Sequence, residues 1–292
     1  MNFLFILLLT ISKISSESLD PCNKSSDLSR VVIAGGSITE IIYMLELNDH
    51  LAAVDVTSNY PESAKTLPSI GYVRNLSTEG ILSLNPSLLL GENDIGPHIV
   101  IEQLREIGLD MRIIPEDQSS KGIVEKVYCI GKIMGLGISE IKRKTKKLEE
   151  SARRLDKLVN EGLLESTSIM FVLNIRGSTP IIAGKGTSGD GFISMIGCQN
   201  VFKNIEGWKA ISEESVLEVN PDYIILPDEN IHKGSGIETI LDNPIFMNTR
   251  AGKSQNFIFE DAMAMLGFGP RTLHIASEIS ELIIEKNKVT GK

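Results

Sequence analysis

LSTEGILSLNPSLLL at residues 76–90 and ISEESVLEVNPDYII at residues 211–225 read as two copies of one segment. At an offset of 135 residues Ser77 falls on Ser212, Glu79 on Glu214, Leu82 on Leu217 and Asn85-Pro86 on Asn220-Pro221, without a gap. In each copy a serine can cap a short helix, a proline makes the turn, and the apolar run that follows suits a buried parallel strand. One strand-forming unit repeated far apart implies two similar α/β lobes.

The pattern extends outward from both copies. Val31-Val32-Ile33 runs into Ala34-Gly35-Gly36-Ser37 and then into apolar residues at Ile38, Ile41, Ile42 and Leu45. Strand, glycine turn and helix in that order open a parallel α/β unit. Further strands are expected at 52–56, 88–91 and 111–114, with helices at 98–107 and 120–134. Residues 139–161 break the alternation: Ile141, Thr145, Leu148, Ala152, Leu155 and Val159 recur at helical spacing, Ser139 can cap, and Gly162 stops the run. Such a helix is roughly 35 Å long at 1.5 Å per residue, enough to brace two lobes. Its other faces carry eight of the 29 basic residues, so the remainder of the chain is more acidic than the total of −9 suggests. Beyond it the α/β pattern restarts, with strands at 167–174, 223–226 and 256–260 and helices at 189–196 and 271–286. The expected fold is therefore α/β: two Rossmann-like lobes with parallel sheets, joined by one long rigid helix. The boundaries are a signal peptide at 1–18, a flexible N-terminus at 19–29, an N-terminal lobe at 30–137, the connecting helix at 138–162 and a C-terminal lobe at 163–292. A cleft between the lobes, at the carboxyl ends of the strands, is the expected ligand site.

Length allows for two cores: 292 residues suffice for two medium domains. A pI near 5.1 excludes a dedicated nucleic-acid binder, which needs a basic face. FLFILLLTI at 3–11 is too short to span a bilayer and is followed by Ser15, Ser16 and Ser18, so it reads as a cleaved secretory signal. The mature chain is then extracytoplasmic, with no membrane span. Cys22, Cys129 and Cys198 are scattered and odd in number, which gives no disulfide framework, and four isolated histidines give no zinc cage.

Catalytic signatures do not appear. Residues 184–191, GKGTSGDG, miss the phosphate-loop spacing, and neither a nucleophile elbow nor a zinc-protease motif occurs. Among five tyrosines, Tyr60 and Tyr72 fall in loops, SNYPE and IGYVRNLS. Arg74 follows Tyr72 by two residues; a guanidinium stabilises a phenolate oxygen, and a tyrosinate is an axial ligand for ferric haem. The spacing equally allows a surface tyrosine with a solvated arginine. By the same offset Arg74 falls on Lys209 and Val73 on Trp208, which sets one base before each repeat helix, suited to a ligand's carboxylates. Glu79 and Glu214, one per lobe, suit docking to a two-fold symmetric partner, or are ordinary helix-start acids.

VVIAGGSITEIIYML, the TSNYP loop, LPSIGYVRNLSTEGILSLNPSLLL, IIAGKGTSGDG, GWKAIS and LGFGPRT together resemble the haem-binding substrate-binding proteins of bacterial ABC haem importers, over about residues 30–285. The resemblance implies Tyr72 as axial ligand to haem iron, with Arg74 beside it. It implies Lys209 on a propionate or on the cleft wall, and Trp208 as the aromatic where the family often carries tyrosine. Tyr60 belongs to the same ligand set. Glu79 and Glu214 would dock onto arginines of a permease dimer served by its ATPase. The expected protein is a monomeric, non-enzymatic carrier of haem. The alternatives are the same fold around a cobalamin or ferric siderophore, and a haem scavenger without a permease.

Overall fold

The computed structural model describes residues 21–176, 179–228, 240 and 243–290; the signal-peptide expectation at 1–18 lies outside them. The first lobe holds β1 (Val31–Ala34), β2 (Leu51–Val54), β3 (Leu88–Gly91) and β4 (Met111–Ile113), paired in the order β2-β1-β3-β4 and parallel throughout. Helices α1 (Gly36–Met44), α2 (Thr78–Leu82), α3 (His98–Glu106) and α4 (Ser120–Ile133) lie between and after these strands. All four residues of β1 and of β3 are buried, as continuous apolar runs covered on both faces require.

The second lobe departs from the expected all-parallel sheet. Its strands are β5 (Ser168–Arg176), β6 (Thr179–Ala183), β7 (Gln199–Asn200), β8 (Trp208–Ala210), β9 (Tyr223–Pro227) and β10 (Phe257–Glu260). They run in the order β10-β9-β5-β6-β8, with β7 also on β5. β10, β9, β5 and β7 are parallel, but β6 and β8 are antiparallel additions to one edge. Neither β6 nor β8 was expected: the apolar Ile181 and Ile182 sit beside Pro180 and before a glycine loop, which reads as a turn, and only pairing with β5 makes them a strand.

The repeat is the same local structure twice. Ser77 caps α2 by accepting from the Gly80 N–H, and Ser212 caps α7 (Glu213–Val219) by accepting from the Ser215 N–H. Asn85 and Asn220 then both turn left-handed, at φ 47° and 43°, a conformation asparagine tolerates. Pro86 and Pro221 follow, leading into the central strands β3 and β9.

The connecting helix α5 spans Ile138–Asn160 and buries Ile141, Thr145, Leu148, Ala152 and Leu155, while Val159 is half-buried. Its cap is Gly137, not Ser139; the Gly137 carbonyl already accepts from Glu140 and Ile141, so the helix opens before the serine. Gly162, at φ 68°, ends it. α5 packs on α4 and on the C-terminal helix Pro270–Thr290. Because of that packing the two lobes share a core in addition to a buried cluster of their own, around Val32 and Leu89 in the first and around Val172 and Leu226 in the second. One buried cluster runs from Ile33 through Ile130, Leu148, Phe171 and Phe192 to Ile279.

Two expectations about the N-terminal region are overturned. Cys22 and Cys129 form a disulfide across 107 residues, although their spacing gave no sign of it, because α4 folds back onto the chain's start. Residues 21–29 are correspondingly fastened: the Ser25 N–H donates to the Ile133 carbonyl at 2.9 Å and its hydroxyl to Asp110 at 2.9 Å. Cys198 is free and half-buried against the core, and this burial, with the Asp222 charge adding to it, pushes its thiol pKa up to about 12. A crosslink closing so long a loop stabilises mainly by restricting the unfolded chain. The double variant Cys22→Ala/Cys129→Ala is expected to lose about 2–4 kcal/mol of stability in urea denaturation, with the far-ultraviolet circular dichroism unchanged. A midpoint equal to the parent's would show that the crosslink contributes nothing.

Candidate functional site

The lobes enclose a cavity of about 570 Å³, within the range of small-molecule sites. Its first-lobe wall starts from the AGGS turn. Gly35 takes φ 150°, and a side chain on Gly36 would stand 2.5 Å from the Thr57 carbonyl, so glycine lets α1 begin against the loop after β2. The buried Asp55 holds that loop by accepting from the Gly35 N–H, the Thr57 N–H and the Ser58 hydroxyl, each at 3.0 Å.

Tyr72 and Arg74 flank Val73, which is buried, so both side chains project from the turn that closes with the Asn75 N–H on the Tyr72 carbonyl at 2.8 Å. Tyr72 is 46% exposed and stands on the cavity rim with Arg74. Arg74 donates to Asp94 from Nη2 at 2.8 Å and Nε at 3.0 Å. Burial alone would lower the Arg74 guanidinium's pKa, but Asp94 and then Tyr72 hold it above the ordinary value.

From the second lobe come Leu173, Trp208, Met263 and Leu266, together with the glycine-rich loop at 186–188. Gly207, at φ 72°, turns the chain into Trp208, whose indole meets Phe171 edge-on at 6.1 Å. The GKGTSGDG segment forms an interlobe contact: a side chain on Gly191 would stand 2.1 Å from Gln118 of the first lobe. Two of the expected ligand residues are elsewhere. Lys209 is exposed and pairs with Ile182; strand alternation turns it away from the face Trp208 occupies, and it does not line the cavity. Tyr60 does not line it either: its ring carries the Arg271 guanidinium at 4.2 Å from the centroid. Arg271 also donates to Glu40 of α1 at 2.7 and 3.0 Å, so the LGFGPRT segment ties the C-terminal helix to the first lobe.

Sequence reading missed the group at the base of the cavity. Lys126, with a fully buried side chain, donates from Nζ to Glu92 at 2.7 Å and Glu116 at 3.1 Å. Its other acceptors are the Ser37 hydroxyl and the Gly267 carbonyl of the second lobe, both at 3.4 Å. The Ser37 hydroxyl in turn donates to Glu92. A signal was present: Lys126 sits between Ile123 and Ile130 on the apolar stripe of α4, where lysine is almost never found unpaired. Its partners come from distant strand ends and could not be read. Burial pushes Glu92 up despite Lys126, with Glu116 adding to the rise; burial would lower Lys126, but Glu92 and Glu116 raise it.

Glu79 and Glu214 are exposed in the first turns of α2 and α7. The repeat-related leucines on the same helix faces, Leu82 and Leu217, are 36% and 37% exposed. His98 is exposed and 3.4 Å from Glu102, outside the cavity lining; His232 lies outside the described residues. Among the described residues no group of three or more His, Cys, Asp and Glu side chains is placed to hold a bare metal ion, and no helix is long and apolar enough to cross a membrane.

Residues 31–263 match the family described as Periplasmic binding protein. The periplasmic heme-binding protein HutB of Vibrio cholerae has 30% identity and a TM-score of 0.74, the match covering 88% of this chain and 99% of that one. The periplasmic heme-binding protein RhuT of Roseiflexus sp. RS-1 has 28% identity and a TM-score of 0.74, covering 88% and 98%. A vitamin B12-binding protein of Yersinia pestis is 26% identical over 217 residues, 73% of this chain and 72% of its own length.

The buried carboxylates make stability depend on pH in a defined direction. Glu92 and Glu40, both raised mainly by burial from 4.5, take up protons in the folded chain before the unfolded one does. The contribution of these two groups to stability therefore rises as pH falls toward 4.5. Urea midpoints measured from about pH 7.5 down to about pH 5.5 are expected to increase, and Glu92→Gln to flatten part of that increase. An identical slope in Glu92→Gln would remove Glu92 as its source.

Proposed function

We propose, since the chain belongs to the periplasmic binding protein family, that it is an extracytoplasmic solute-binding protein that captures haem in its interlobe cleft and delivers it to an ABC permease. The observation that carries the haem reading is the Tyr72–Arg74 pair on the cavity rim, across from the indole of Trp208. A porphyrin fills four positions on its iron and needs one further donor; Tyr72 supplies a phenolate oxygen, and Arg74 beside it stabilises the negative charge that ligation places there. Trp208, Leu173, Met263 and Leu266 give the macrocycle an apolar and aromatic surface. Similarity to the haem-binding proteins, at 28–30% identity along nearly their whole length, points the same way. The disulfide fits an oxidising compartment outside the cytoplasm.

A cobalamin is the second reading, favoured by a specific observation. Glu92 and Glu116 are acceptors on the cavity wall, and a corrin's carboxamides are donors, so the base of the cleft matches them chemically; a vitamin B12-binding protein is also among the relatives. Titration of the purified protein with hemin and with cyanocobalamin separates the two. Haem capture predicts a saturable Soret change with hemin, weakened at least about tenfold in Tyr72→Ala, whereas cobalamin capture predicts neither. Undiminished hemin binding by Tyr72→Ala would sink the ligand assignment.

Docking rests on Glu79 and Glu214, with Leu82 and Leu217 beside them. A carboxylate and an apolar side chain repeated on each lobe suit the two equivalent subunits of a permease dimer. In a reconstituted transporter, Glu79→Ala/Glu214→Ala is expected to leave hemin affinity unchanged while transport falls at least about tenfold. Normal transport by that variant contradicts the docking assignment.

A further inference from the structure

The charges around the cavity bear on which edge of the ligand enters it, an inference that rests on the haem reading. Among the described residues three carboxylates line the cavity, Glu92, Asp94 and Glu116, against one cation, Arg74. That cation is already held by Asp94 at 2.8 Å, and the buried Lys126 behind the wall is shared between Glu92 and Glu116. Lys209, the base expected from the repeat, faces away. The two helix starts that reach the cavity would attract an anion, but both already serve carboxylates. At α1 the Gly35 N–H donates to Asp55 and the Ser37 hydroxyl to Glu92. At α6 (Ser188–Met195) Asp190 lies in the first turn and accepts from the Gly186 N–H at 3.0 Å.

The depth of these groups matters. Tyr72 and Arg74 are on the rim, with the Arg74 and Asp94 side chains 59% and 41% exposed, whereas Glu92 and Glu116 are only 14% and 23% exposed. The deep end of the cavity therefore holds two carboxylates against one shared ammonium, where like charge is poorly screened.

We infer that Glu92 and Glu116 determine the ligand's orientation: the porphyrin enters with its apolar edge inward and its two propionates directed out of the cleft to solvent. The apolar edge then lies along Leu173, Met263 and Leu266, and the base of the cleft rejects ligands that can only enter carboxylate-first. Glu92 and Glu116 are specificity-determining residues here, not iron ligands.

The test compares hemin with its dimethyl ester, iron(III) protoporphyrin dimethyl ester, both delivered from the same detergent carrier and followed by the Soret band. Propionates in solvent predict affinities within about threefold of each other. In Glu116→Gln, which removes one carboxylate and keeps the shape, the hemin-to-ester affinity ratio is expected to rise by about two- to fivefold with the Soret maximum unmoved, a signature that a merely structural role for Glu116 would not give. An ester bound at least about tenfold more weakly than hemin by the parent protein overturns the orientation while leaving haem capture intact. Absence of a Soret change with both porphyrins overturns the haem reading and this inference with it.

Discussion

The Lys126 ammonium is the contact on which the lobe arrangement and the cleft both depend. It is fully buried and takes its acceptors from three places: Glu92 and Glu116 at the strand ends of the first lobe, Ser37 at the start of α1, and the Gly267 carbonyl of the second lobe. A charge so far from water persists only with its partners in place, so the cluster holds the two lobes in register at the base of the cavity. Arg271 does the reciprocal task from the other side, reaching from the C-terminal helix to Glu40 and Asp261 and lying on Tyr60. Close glycine contacts accompany both: a side chain on Gly269 would stand 3.3 Å from the Ser37 backbone.

These polar ties act on lobes that already share the largest of their apolar clusters, through α4, α5 and the C-terminal helix. A cleft built this way is largely pre-formed, because reopening it would break packed side chains rather than flex a linker. The arrangement suits a carrier that holds its ligand rigidly and is opened by its partner. Glu79 and Glu214 sit on short capped helices that lead directly into the central strands β3 and β9.

Much of the fold was legible because it rests on local signals. Apolar periodicity marked α1, α4 and α5 to within a few residues, and the NP repeat marked the two central strands β3 and β9. The antiparallel edge of the second sheet was not legible: β6 and β8 are short and carry no alternating pattern, and they acquire strand character only from pairing, β6 with the adjacent β5 and β8 with β6. The disulfide escaped for a similar reason, since 107 residues separate its cysteines and nothing in their spacing reports that α4 returns to the chain's start. Of the proposed ligand residues, Tyr72, Arg74 and Trp208 do meet at one cavity, while Lys209 and Tyr60 do not. The repeat correctly aligned Lys209 with Arg74 in sequence, but Arg74 projects from a turn and Lys209 from a paired strand, so equal offsets gave opposite directions.

By itself the sequence determined the two-lobe α/β plan, the long helix between the lobes, the capped helix and proline turn of each repeat copy and the nearness of a tyrosine to an arginine two residues on. All of these depend on neighbours close along the chain. Tertiary structure alone decided the charge at the base of the cleft, because Glu92, Glu116 and Lys126 lie on different elements and meet only when β3, the segment after β4 and α4 pack together. It decided also which tyrosines and bases reach the cavity, since a side chain's direction is set by the strand or turn that carries it and by what that element is packed against.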